Sequence, residues 1–173
     1  LAGDYVRDQD AVSACSLAAE AAAWAMDTMG LTLYEWLQKL YVEFGFFREG
    51  LVSVVRKGME GAAEIQRMMV DYRADPPREI AGSPVVKIND FKLLESTDVR
   101  TGAKTPIEEE ASNVLQWFAA DGTVVSVRPS GTEPKIKFYF GVRAELESVA
   151  DFDRVEAGLD AKIETIKKEL KLV

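Results

Sequence analysis

The sequence predicts an α+β protein: an antiparallel sheet with helices on one face, preceded by a helical segment that belongs to another domain. Three observations support this. From about residue 46 onward, short runs alternate apolar and polar residues, as strands covered on one side do. The last 26 residues repeat apolar side chains every three or four positions, which predicts an amphipathic helix. The first 45 residues show helical spacing and no strand pattern.

The first predicted helix begins at Asp10 and ends at Gly30. Its alanine-rich sequence is apolar almost all round, with Val12 and Trp24 among its larger members, so we expect a helix buried on several sides. Serine and acidic residues interrupt it, and it is too weakly hydrophobic to span a bilayer.

A second helix is predicted from Thr32, which forms a capping box with Glu35, to a stop at Gly45. Two helices without a sheet do not make a domain. We therefore expect their packing partner to lie upstream of Leu1, which would make this chain a fragment of a longer protein.

The rest of the chain alternates strands and helices. We predict a strand through Leu51–Val55, a helix from about Met59 to Arg73, a turn at residues 75–77 and a strand over 84–88. Residues 95–110 are polar and predict a solvated loop.

The C-terminal half carries the clearest strand pattern. Strands are predicted over 113–119 and 123–127, joined by the two-residue turn Asp121-Gly122, and a third over 135–140. A final helix begins at Ser148. The order is therefore β-α-β-β-β-β-α.

Composition excludes several classes of function. The 173 residues include 21 Lys and Arg against 29 Asp and Glu, a formal charge of −8 that disfavours binding to nucleic acid or anionic lipid. There is no histidine, so neither a His-based catalytic triad nor a Cys/His zinc site is available. The single cysteine, Cys15, lies in the apolar helix and is predicted to be an inert core residue.

One loop, residues 128–135, has the residue types that bind a phosphate. Arg128 offers a planar fork for two phosphate oxygens, Ser130 and Thr132 offer hydroxyl donors, and Gly131 lets backbone N–H groups approach an anion. Prolines stiffen both ends. The alternative is an ordinary tight turn, since Pro, Ser and Gly are common there.

Neighbouring side chains have alternative interpretations. Lys135 and Lys137 extend the positive field of Arg128 or simply belong to a solvated strand face. Glu133 is predicted to accept hydrogen bonds from nearby backbone N–H groups rather than to act as a base. Asp10 is expected to cap a helix rather than bind metal, and Asp8 precedes that cap.

The run from Val127 to Lys137, Val-Arg-Pro-Ser-Gly-Thr-Glu-Pro-Lys-Ile-Lys, resembles the C-terminal phosphate-binding loop of the phosphohexomutases, the phosphoglucomutase and phosphomannomutase superfamily. Two further segments, Asp4–Ala11 and Gly30–Leu33, resemble parts of the third of that family's four domains. The resemblance implies that residues 1–45 end this α/β third domain. Residues 46–173 would be the fourth, with a fold similar to the TATA-binding protein.

The resemblance also implies a function. Such enzymes interconvert hexose 1-phosphate and hexose 6-phosphate in the cytoplasm through a phosphoserine, a hexose bisphosphate and Mg²⁺. The serine, metal and sugar-reading motifs do not occur in this sequence, so the resemblance implies an inactive fragment that works with upstream domains and binds no metal. Carried over by position, Arg128, Ser130, Gly131 and Thr132 would hold the phosphate that is not transferred. Lys135 is included as a phosphate-binding candidate because of its charge beside Arg128.

The sequence is compatible with two other functions. A freestanding module for phosphorylated ligands would use the same loop, although the orphaned helices before residue 45 argue against it. Nucleic-acid binding through the TATA-binding-like fold is disfavoured by the net charge, and fold alone does not establish function.

Overall fold

The computed structural model describes residues 10–56 and 58–172, and these form two compact units. One unit holds the described residues up to Gly45 together with Glu145–Phe152. The other holds Phe46–Ala144 and the segment from Asp153 onward.

The first unit is helical. Helix α1 spans Ala11–Met29, and its N-cap is Asp10, whose carboxylate accepts the first free backbone N–H groups of the helix. Gly30 ends α1 in the left-handed conformation, with φ 65°. Both predicted limits of this helix are confirmed, and a cap explains Asp10 without a metal.

Helix α2 spans Leu33–Phe44 and begins with the predicted capping box. The Glu35 N–H donates to the Thr32 hydroxyl at 3.2 Å, and the Glu35 carboxylate accepts from the Thr32 N–H at 2.8 Å. A short 3-10 helix, Val149–Asp151, completes this unit.

The prediction that α1 is a buried helix is wrong for this chain. Ala25 is the one residue of α1 that is buried, while Val12 is 78% and Trp24 50% exposed. Cys15 is likewise exposed and not a core residue. The reason is that α1 packs mainly on α2, with the Trp24 and Trp36 rings 5.3 Å apart, so its other sides have no neighbour in the described residues. None of the described helices combines the length and the apolar character needed to cross a membrane.

The second unit is built on an antiparallel sheet of eight strands within the described residues, in the order β1-β8-β7-β6-β3-β4-β5, with β2 paired to β3. The strands are β1 Phe46–Val55, β2 Glu79–Ile80, β3 Ser83–Asp90, β4 Glu95–Asp98, β5 Lys104–Pro106, β6 Leu115–Ala119, β7 Val124–Pro129 and β8 Lys135–Ala144.

Helices α3, Gly58–Ala74, and α4, Phe152–Glu169, cover one face of this sheet. From α3, the Tyr72 ring packs on Phe138 of β8 with a centroid separation of 6.1 Å. From α4, Ile163 lies over Gly50 of β1, beside Phe140. Since Phe138 and Phe140 are two residues apart on one strand, both helices lie on the same face, as predicted. The fold class is therefore confirmed as α+β.

The predicted order omits three short strands. Strand β2 pairs with β3, and the polar segment 95–110 is not simply a loop, because β4 and β5 form a hairpin within it. Strand β8 continues past Phe140 to Ala144, with Val142 buried on the helix side. The hairpin has no buried residue, so no apolar alternation marks it in the sequence.

Candidate functional site

The loop predicted to bind phosphate joins β7 to β8, and the backbone fixes both of its ends. The Ser130 N–H donates to the Lys135 carbonyl at 2.8 Å and closes the turn. The Arg56 N–H, just after β1, donates to the Pro134 carbonyl at 2.9 Å. The loop is thus anchored to two strands of the sheet.

Within the loop, the Ser130 hydroxyl accepts from the backbone N–H groups of Thr132 at 3.4 Å and Glu133 at 3.3 Å. This is the local serine turn that competes with an anion for the same donors. A Cβ added at Gly131 would meet no protein atom within 4 Å. Protein packing therefore does not require glycine at this position, and the space beside it is open.

Two cations lie side by side next to this turn. Arg128 of β7 and Lys137 of β8 are directly opposite each other in the strand register. Both point away from the helices, because the neighbouring Val127, Ile136 and Phe138 are buried on the helix side. Within the described part of the chain, neither side chain forms an ion pair. Like charges directly opposite each other repel, so an anion bound between the two side chains would be favourable.

The structure corrects the prediction for Glu133. Its carboxylate pairs with the Lys135 ammonium rather than with backbone N–H groups. The hydrogen bond from Lys135 is the main cause that lowers the pKa of Glu133, and the charge of Lys137 adds to it. Lys135 is thus directly paired with the Glu133 carboxylate, which also attracts Lys137 without forming an ion pair with it.

A hollow of about 400 Å³ unites these groups on the outer face of the sheet. All five predicted site residues line it: Arg128, Ser130, Gly131, Thr132 and Lys135. Two further residues of β8, Lys137 and Tyr139, line it too and were not among the predicted site residues. The alternation along residues 135–140 predicted that all three odd-numbered side chains lie on one face, but it did not show that Lys137 and Tyr139 line the hollow.

The opposite side of the loop borders a second hollow, of about 520 Å³, lined by Met59, Ala62 and Ile65 of α3 among others. The loop therefore separates two hollows, a basic one on one side and a largely apolar one on the other.

Residues able to hold a metal are not grouped anywhere in the described ranges, where no three or more Asp, Glu or Cys side chains come together suitably. The segment resembling the third domain, Asp4–Ala11, lies outside the described residues up to position 9, and Asp8 with it.

This geometry defines a class of protein: an α+β domain in which two cations, Arg128 of β7 and Lys137 of β8, lie beside the strand-joining loop on the outer face of the sheet. Residues 84–169, which include the loop, match the family model described as "Phosphoglucomutase/phosphomannomutase, C-terminal domain". The chain belongs to the phosphoglucomutase/phosphomannomutase family, as its sequence motifs predicted, and this part is a C-terminal domain of that family.

Individual relatives agree. The chain is 33% identical over 163 residues to a phosphoglucomutase of Staphylococcus aureus, covering 94% of this chain and 28% of that protein. It is 32% identical over 145 residues to a phosphoglucomutase of Staphylococcus epidermidis, covering 84% of this chain and 26% of the relative. The chain thus spans little more than a quarter of these relatives. The structure of pp63/parafusin, a phosphoglucomutase from Paramecium in its open form, is similar at a TM-score of 0.47 and 12% identity over 95% of this chain and 28% of that one.

Proposed function

We propose that this chain is the substrate-phosphate-binding domain of a phosphohexomutase that interconverts hexose 1-phosphate and hexose 6-phosphate. In this proposal Arg128, Ser130, Gly131 and Thr132 hold the phosphate that is not transferred. The domain works with other domains of the same polypeptide, in the cytoplasm, and binds neither nucleic acid nor membrane.

The observation that carries this proposal is the pair formed by Arg128 and Lys137. Two cations placed directly opposite each other, on an exposed sheet face and without a carboxylate between them, destabilise the sheet unless an anion binds there. A phosphate ester supplies the oxygens that both need, and the Arg128 guanidinium can bind two of them at once.

The loop contributes binding rather than bond-breaking. Its turn is closed by main-chain hydrogen bonds, so little conformational freedom is lost when a phosphate binds. The hydroxyl of Ser130 donates to a phosphate oxygen while still accepting the N–H of Thr132. The open space beside Gly131 lets the main chain approach the ligand.

The chemistry itself is proposed to lie elsewhere in the parent protein. Phosphoryl transfer through a phosphoserine and a hexose bisphosphate needs the serine, and Mg²⁺ supplies charge neutralisation there. Neither motif occurs in this sequence. We therefore expect this chain alone to show no mutase activity with glucose 1-phosphate, Mg²⁺ and an added sugar bisphosphate.

Kinetics of the full-length parent test the proposal. Replacing Arg128 by Ala removes two charge-assisted hydrogen bonds and should lower kcat/KM by about 30- to 1000-fold, whichever hexose phosphate is used. Because the side chain is exposed, the free energy of unfolding should change by only about 0.5 kcal/mol. Arg128→Lys should be more active than Arg128→Ala and less active than the unchanged protein, since the ammonium keeps the positive charge but cannot bind two phosphate oxygens in the planar geometry of a guanidinium. A near-normal kcat/KM in Arg128→Ala would overturn the proposal.

A further inference from the structure

Tyr139 is an aromatic residue that lines the basic hollow and has no role in the proposed phosphate site. It lies two residues beyond Lys137 on β8 and lines the same hollow. Tyr139 is 40% exposed and lies on the face of the sheet opposite the helices. A tyrosine in this position presents a flat apolar surface with a polar tip to whatever enters the hollow.

Hydrogen-bonding side chains lie beside this ring. Ser126 of β7 is directly opposite Tyr139 in the strand register. The Gln116 amide on β6 donates to the Ser126 hydroxyl at 3.1 Å, and Asn89 on β3 donates to the Gln116 carbonyl oxygen at 3.4 Å. The outer face therefore combines one aromatic surface with a row of donors and acceptors.

We propose that Tyr139 contacts the sugar ring of the bound ligand, so that the hollow takes a phosphorylated pyranose rather than phosphate alone. A pyranose has apolar C–H faces and a rim of hydroxyls, which suits a tyrosine ring bordered by Ser126. The two-residue step from Lys137 to Tyr139 is about 6.8 Å along the strand. This leaves room for a phosphate at Lys137 and Arg128 with the ring of its ester over Tyr139. The inference rests on the proposed phosphate site.

Calorimetric titrations of this chain with two ligands test the inference. Inorganic phosphate probes the loop, and glucose 6-phosphate probes the loop together with the aromatic surface. The unchanged chain should bind glucose 6-phosphate more tightly than phosphate. Tyr139→Leu, which keeps an apolar side chain and loses the flat ring, should weaken glucose 6-phosphate binding about three- to tenfold and leave phosphate binding unchanged. Tyr139→Phe, the matched control that keeps the ring, should bind both ligands within twofold of the unchanged chain.

Each result has one interpretation. If the chain binds phosphate and glucose 6-phosphate equally, or if Tyr139→Leu leaves the preference for glucose 6-phosphate intact, the role of Tyr139 is wrong and the phosphate site stands. If Tyr139→Leu weakens both ligands alike, the residue supports the loop and does not contact the sugar. If the chain binds neither ligand, both the phosphate site and the inference fall. Saturation transfer from the Tyr139 ring protons to sugar protons in the unchanged chain provides a second measurement that does not depend on a variant folding; its absence at saturating ligand overturns the inference.

Discussion

Arg128 and Lys137 lie directly opposite each other across the β7–β8 ladder, both on the exposed face of the sheet. Cross-strand neighbours of like charge destabilise a sheet by a few tenths of a kcal/mol up to about 1 kcal/mol. An anion between the two side chains turns this repulsion into attraction. The same two side chains therefore destabilise the sheet when no anion is bound and favour the binding of phosphate.

Neutralising Lys137 should separate the two effects. Lys137→Gln should raise the free energy of unfolding by about 0.2–0.5 kcal/mol, because the repulsion is relieved, and should weaken phosphate binding. Urea denaturation and phosphate titration measure the two quantities. Lys92→Gln is the matched control, since it removes the same charge from an exposed position outside the hollow and should change neither. A loss of stability in Lys137→Gln would contradict this account, because it would show that the attraction between Lys137 and Glu133 outweighs the repulsion from Arg128.

Glu133 should act against the ligand. Its carboxylate holds Lys135 and adds a negative charge beside the hollow. Glu133→Gln should therefore raise the affinity for phosphate about two- to fivefold, as expected for removing one like charge at a solvated distance. Glu110→Gln, at another exposed position, should leave the affinity unchanged. Unchanged or weaker phosphate binding in Glu133→Gln would mean that the pair with Lys135 positions the loop.

The hairpin turn between β6 and β7 should make stability depend on pH. Burial tends to raise the pKa of Asp121, but hydrogen bonds from the Lys162 ammonium at 2.5 Å and the Thr123 N–H at 2.9 Å outweigh it, and the net effect is to lower the pKa. Since the folded-state pKa lies below the unfolded value of about 3.9, the stabilisation is present above that value and is lost as pH falls through the folded pKa. Asp121→Asn should lose about 0.5–1 kcal/mol at pH 7 and show a flatter decline of stability below pH 5. Equal acid sensitivity in the two proteins would contradict this assignment.

Breaking a second ion pair should strongly destabilise the sheet unit. The Arg73 guanidinium of α3 binds the Asp90 carboxylate through two hydrogen bonds of 2.8 and 3.3 Å and also donates to Asn113 at 2.8 Å. The two charged side chains are only 18% and 11% exposed. Arg73→Met should cost about 3 kcal/mol, because it leaves a buried carboxylate without its cation.

The control for this pair is the double variant Arg73→Met with Asp90→Leu. It should recover much of the loss, since no uncompensated charge remains. Urea denaturation measures the free energy of unfolding of the single and the double variant. Equal losses of stability in the two variants would mean that lost packing, not an uncompensated charge, explains the destabilisation.

The two units should differ in protection from hydrogen exchange. Helix α1 buries one residue, Ala25, and α2 buries none, whereas β7 and β8 are interior strands of the sheet whose helix-side residues are buried. Amides of residues 12–44 should therefore exchange faster than those of residues 123–140 in this chain. Equal protection would show that the helices have a core of their own.

The sequence was sufficient for the elements whose signals are local. The caps at Asp10 and Thr32, the stop at Gly30 and the alternation of β8 all act within a few residues, and each was confirmed. The exposure of α1 could not be predicted from local signals. An apolar pattern shows that a helix needs neighbours, but it does not show whether this chain supplies them.

The site was predictable in its residue types and less so in its pairings. The family motif identified the loop, and the alternation placed Lys137 on the outer face. That Arg128 would lie opposite Lys137 depends on the strand register, which the turn geometry sets. The pairing of Glu133 with Lys135 depends on the same geometry. The hairpin of β4 and β5 was missed because exposed strands held by backbone hydrogen bonds leave no apolar signal.

The most direct measurement is a titration of the isotope-labelled chain with inorganic phosphate, followed by the amide resonances of Ser130, Gly131 and Thr132. Saturable shifts confined to this loop are expected. Arg128→Ala should weaken the affinity at least about 30-fold or abolish it. Arg143→Ala is the control: it removes a positive charge from β8, on the same face of the sheet as Arg128 but outside the hollow. Its affinity for phosphate should stay within twofold of that of the unchanged chain. Loop amides that do not respond to phosphate, or equal affinities in the Arg128 and Arg143 variants, would contradict the assignment of this loop as the phosphate site.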